Sequence, residues 1–133
     1  NLSENYDLAE LVDYSLIKNQ KKTLNILNEN NFGGEDSILI LRIFIRKLKR
    51  LLRIHLQNRQ EQNLEKAISS FKPPIFWKEK DIIKNQLKIW NLDQIKELLI
   101  KVNEIELLVK KYPTNSTILV TNFILEQANK PNI

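Results

Sequence analysis

The stretch DSILILRIFIRKLKRLLRIHLQN, residues 36–58, decides the fold. It holds neither glycine nor proline, and its opening octet, residues 38–45, is apolar except for Arg42. An octet of that kind also suits a buried strand. The continuation through Leu48, Leu51, Leu52 and Leu56 keeps a 3.6-residue period well past strand length, so the reading is one long helix, the longest in the chain. Glu35 and Asp36 stand where a helix amino end favours negative charge. The preceding pair, Gly33 and Gly34, reads as the stop of an earlier helix.

Toward the amino end, Leu8, Leu11, Val12 and Leu16 recur at helical spacing, with Ser3 as a cap upstream. Asn19 and Gln20 mark a break, and Leu24 and Leu27 carry a second short helix. Toward the carboxyl end, residues 61–69 form a short helix, closed by Ser69, Ser70 and the pair Pro73 and Pro74, because the residue before each proline is pushed away from helical geometry. Residues 81–90 place Ile83, Leu87 and Trp90 on one face, widened by Ile82 and Ile89. Residues 93–111 form a second long helix whose inward stripe is Leu92, Ile95, Leu99, Val102, Ile105 and Val109. Pro113 ends it, Thr114, Asn115 and Ser116 offer caps, and a last helix holds Ile118, Leu119, Phe123, Leu125 and Ala128, with Pro131 just beyond. The expected architecture is all-α: a single domain over residues 1–133, a compact bundle of six or seven helices with short loops. No alternating strand pattern, repeat or low-complexity tract is present.

Composition bounds what such a bundle does. The chain has 133 residues, 42% hydrophobic and 28% charged, with two glycines and four prolines, enough for one real core and few breaks. With no cysteine there are no disulfides, thiolate ligands or thiol nucleophiles, which fits a reducing, cytoplasmic setting. The first ten residues lack the basic stretch and apolar core of a signal peptide. Methionine is absent throughout, so the expectation is a segment of a longer protein. A net charge of +5 favours anionic partners without specifying one.

Little in the chain suggests chemistry. His55 is the single histidine, and ligands rarely come singly. No Gly-x-Ser-x-Gly elbow presents a nucleophile, and Gly33-Gly34 leads to two acids that would repel a phosphate. Glu104 and Glu106, two apart on a helix, face different directions. No catalytic residue, metal site, cofactor, small-molecule ligand or membrane span is expected. The most pointed feature is a basic stripe, Arg42, Arg46, Lys49 or Arg50, and Arg53, at steps of three and four along one helix face. Three readings stand: a solvated outer face, a surface for an acidic protein, or one for nucleic acid or membrane. Trp77 and Trp90, either side of residues 81–89, read as core anchors rather than stacking platforms.

From Gly33 onward the order of signals resembles the third, C-terminal domain of the DNA polymerase III delta subunit family. The resemblance is carried by Glu35-Asp36-Ser37 opening a long helix rich in Leu and Arg, then Ser70-Phe71-Lys72-Pro73-Pro74-Ile75-Phe76-Trp77-Lys78. It continues with Gln86-Leu87, Trp90, and the pair Glu106 and Lys110. Leu8-Ala9-Glu10-Leu11-Val12-Asp13 and Lys22-Thr23-Leu24-Asn25-Ile26-Leu27 are similar to the short helices that begin that domain. The similarity spans nearly the whole chain, and the order of the motifs is its specific part. It implies a clamp loader collar domain, in which Pro73, Pro74, Trp77, Trp90, Glu106 and Lys110 are structural signature positions. It further implies an oligomerisation domain of a non-ATPase subunit, whose N-terminal AAA+ modules are absent from this chain. Its partners would be the gamma/tau and delta prime type subunits, with the sliding clamp and primed DNA reached only through the complex. On that basis Arg42, Arg46, Arg50 and Arg53 are the candidate interface. A basic helical nucleic-acid-binding module and a generic helical adaptor are the alternatives.

Overall fold

The computed structural model describes residues 2–130, with side chains from residue 7 onward. Among them seven α-helices follow one another: α1 (Leu2–Leu16), α2 (Gln20–Glu29), α3 (Gly34–Glu61), α4 (Leu64–Ser70), α5 (Lys80–Ile89), α6 (Leu92–Lys111) and α7 (Ser116–Ala128). Single 3₁₀ turns, Trp77–Glu79 and Pro113–Asn115, lead into α5 and α7. No strand occurs among the described residues, so the apolar octet at 38–45 is helical, as its continuation requires.

The 28 residues of α3, about 42 Å of helix, form the axis of the bundle. Ile40, Phe44, Leu51 and Ile54 share a line along it and are buried, with Leu41, Ile43 and Leu48 widening the stripe. Against this stripe pack α1, α4, α5, α6 and α7. Phe44 meets Phe123 of α7 edge to face, with ring centroids 5.1 Å apart. At the amino end of α3 the Asp36 carboxylate accepts the Gly33 N–H at 2.9 Å, which ties down one otherwise unpaired donor. At the other end Gln62 takes a left-handed conformation and donates its N–H to the Asn58 carbonyl.

Side-chain caps set several of the remaining boundaries. Asn19, Asn63 and Asn91 each accept the N–H three residues on, at Lys22, Lys66 and Gln94. Gln94 answers by accepting the Asn91 N–H at 2.9 Å, a reciprocal box that starts α6. Replacing Asn91 with alanine is expected to cost about 1 kcal/mol. The check is the shift in urea midpoint at unchanged m value, and no shift would mean that the box contributes nothing.

Several boundaries differ from the sequence reading. Glu61 ends α3 rather than starting α4, because the left-handed Gln62 stops one helix and Asn63 caps the next. Asn115 makes no side-chain cap to α7, since the Pro113–Asn115 turn feeds directly into the helix. Ser3, expected as a cap, falls inside α1, and its side chain lies outside the described residues, as does Pro131. On α6 Leu98 is buried together with Leu92, Ile95, Val102 and Val109 of the expected stripe, while Leu99 and Ile105 are half-buried. On α2 Leu24 is exposed, and the inward position belongs to Thr23, whose hydroxyl donates to the Asn19 carbonyl at 2.7 Å.

Of the two tryptophans, Trp90 is the core anchor expected. It is buried, and its indole N–H donates to the Leu16 carbonyl at 2.7 Å. Trp77 is not a core anchor, being 69% exposed. The chain crosses the bundle surface through Pro73 and Pro74, turns Phe71 and Ile75 inward, and leaves Phe76 and Trp77 facing out as a tilted pair with centroids 6.0 Å apart.

Candidate functional site

Helix periodicity puts Arg42, Arg46, Lys49 and Arg53 on one exposed face of α3. What the tertiary structure adds is a second wall. Between α1, this face of α3 and the connection from Phe71 to Ile82 lies a groove of about 810 Å³. Ala9, Glu10, Asp13 and Tyr14 line it from α1, and Arg46, Lys47, Lys49, Arg50 and Arg53 from α3. Phe71, Pro73, Phe76, Lys78, Glu79 and Ile82 close the third side. Six basic side chains stand against three acidic ones, leaving a local charge of +3.

The arginines of the stripe play two different parts. Arg50 is ion-paired with Glu79 at 2.7 Å. Arg53 donates to the Lys72 carbonyl at 3.0 Å and lays its guanidinium over the Phe71 ring, 4.8 Å from the centroid. Both therefore hold the proline-containing connection against α3, a framework task that the sequence reading assigns to no residue. Arg46 and Lys49 are exposed on the groove wall, and among the described residues neither forms an ion pair. Arg42 is equally exposed but lies beyond the groove.

At the back of the groove is a polar cluster that the sequence reading does not single out. Lys47 is buried and its ammonium lies 3.0 Å from Oδ2 of Asp13. Gln86, also buried, donates to Oδ1 of Asp13 at 3.0 Å. One signal for it was visible: position 47 continues the inward line 40, 44, 51 and 54, where a lysine needs a carboxylate partner. Glu79 offered no such signal, being 29 residues from the arginine it pairs with.

The remaining candidates resolve into packing roles. His55 Nε2 lies 2.7 Å from the Trp90 carbonyl, an acceptor, so Nε2 carries the proton and donates. Lys18 donates to the Gln127 carbonyl at 2.9 Å with its ammonium 4.6 Å from the Trp90 ring, and burial lowers its pKa below the ordinary lysine value. Glu106 and Lys110 form an i,i+4 pair at 3.2 Å along α6. Pro73 borders the groove, and Pro74 is exposed beside it. No group of three His, Cys, Asp or Glu side chains suited to a metal ion occurs among the described residues. Among them, too, no helix is long and apolar enough to cross a membrane.

Fold and groove together define the class, an all-helical bundle with a basic, partly aromatic surface groove. Compared with protein-family models, curated proteins and solved structures, the chain finds no significant match in any of the three.

Proposed function

We propose that this chain is a subunit-assembly domain of the collar type, belonging to a DNA polymerase III delta subunit. It would hold that cytoplasmic, non-ATPase subunit beside gamma/tau and delta prime type neighbours in the loader that places the sliding clamp on DNA. Its own task is holding rather than chemistry. The family part of the reading is supported by the order of motifs from Glu35 through Trp90 to Lys110. The observation that carries the assembly part is the outer surface of α6. Ile100 and Leu107, two turns apart on one line, are 61% and 68% exposed, Leu108 is exposed on the neighbouring line, and Tyr112 is exposed just past the helix end. Large apolar side chains gathered on one helix face suit burial against another protein.

The test is co-migration of the chain with purified gamma/tau and delta prime type subunits. Ile100→Glu with Leu107→Glu is expected to weaken that association at least about tenfold, since each variant would bury an unpaired charge. Co-migration unaffected by the double variant would remove α6 from the interface, and no co-migration at all would reject the reading.

A nucleic-acid-binding module is the second reading, favoured by the exposed cations Arg42, Arg46 and Lys49. It requires an affinity for DNA that falls steeply with salt, and no measurable binding at about 50 mM salt disposes of it.

A further inference from the structure

We infer that the groove between α1, α3 and the connection from Phe71 to Ile82 is a docking site for a short acidic protein segment bearing an apolar anchor residue. Its lining combines apolar and cationic side chains over the pair that buried Lys47 makes with Asp13. Ala9, Phe71, Pro73, Phe76 and Ile82 supply apolar lining, and Phe76, beside Trp77, is 55% exposed. Around them stand Arg46, Lys49 and Lys78, none of them ion-paired among the described residues. A volume of about 810 Å³ lies within the range of pockets that hold a small organic ligand, room enough for an anchor side chain and its neighbours.

Charge complementarity selects an acidic occupant, and the apolar lining residues select an anchored one. A single-stranded nucleic acid fits less well for two reasons. Its backbone carries a charge at every step, and Glu10, Asp13 and Glu79 border the same groove. It also gains most from a run of open ring faces, whereas the Phe71 ring is covered by Arg53. A protein segment can place its acids opposite Arg46, Lys49 and Lys78 and leave neutral residues opposite the carboxylates.

The groove is preorganised for such a guest. Arg50 with Glu79, and Arg53 with the Lys72 carbonyl, fix the connection to α3 before anything binds, which reduces the ordering cost of docking. The inference rests on the groove alone. Failure of the subunit co-migration test leaves it standing, and failure of the test below leaves the assembly reading standing.

The experiment titrates the full chain with three probes while following fluorescence anisotropy: a peptide of about twelve residues, mostly Glu and Asp with one central Phe; the same peptide with Ser for Phe; and a thymidine oligonucleotide of similar length. The Phe peptide is expected to bind best and to weaken with salt. Arg46→Glu with Lys49→Glu, exposed positions outside the framework contacts, should weaken it about tenfold, and Phe76→Ala about fivefold, with unchanged circular dichroism. Absence of Phe-peptide binding, equal binding of the Ser peptide, tighter binding of the oligonucleotide, or indifference to the charge reversal would each overturn the inference.

Discussion

Replacing Phe44 with alanine is expected to lower the unfolding free energy by about 4 kcal/mol and the Tm by roughly 12–15 °C. Phe44 is fully buried in the middle of α3 and meets Phe123 of α7 edge to face at 5.1 Å. Truncation removes the transfer free energy of the ring and leaves a cavity that helices anchored along their whole length close only in part. It also abolishes the ring pair, worth about 1 kcal/mol beyond its area. Since domains of this kind are stable by only about 5–15 kcal/mol, the variant should sit near the edge of folding. Phe44→Leu keeps most of the volume and should cost roughly half as much. Chemical denaturation of the three proteins checks this, and a loss below about 1 kcal/mol for the alanine variant would mean that α3 and α7 do not meet at this ring.

The second large effect is expected at the back of the groove. Asp13→Ala should cost about 3 kcal/mol, because it strands the Lys47 ammonium, whose side chain is 7% exposed, and leaves the Gln86 amide without its carboxylate. The value belongs to the stranded charge more than to the attraction of the pair. Replacing both partners with apolar residues, Asp13→Leu with Lys47→Met, should therefore recover most of the loss. Thermal unfolding of the single and double variants separates the two accounts. A double variant as unstable as Asp13→Ala would show that the contact itself, and not the stranded lysine, carries the stability.

The same two residues show how far the amino-acid order could be read. The period of Leu48, Leu51, Leu52 and Leu56 made the existence of α3 legible, but its inward line is Ile40, Phe44, Leu51 and Ile54, while Leu52 is half-buried and Leu56 exposed. Lys47 on that face was a visible anomaly, yet its partner, 34 residues earlier on α1, was not, since nothing local links the two. The basic stripe was legible as a row, but its division into Arg50 and Arg53 on the framework and Arg46 and Lys49 free on the wall was not. That division depends on where the connection after Phe71 crosses α3. Trp77 misleads for the same reason: a large ring ordinarily seeks the core, and here Ile75 occupies the inward place that the proline turn offers.

By itself the chain's order of residues determined that this protein is a sheaf of helices, and roughly where each begins and ends. Helical periodicity, caps and proline stops act between residues a few positions apart and so are largely carried by short stretches of the chain. Only the tertiary structure decided which helices touch. Ser15 donates to the Ile124 carbonyl and Lys18 to that of Gln127, both across 109 residues, setting α1 and α7 side by side. The groove is likewise a product of three segments brought together. Its walls depend on the angles at which helices pack, and those follow from the fit of whole surfaces rather than from any short stretch of residues.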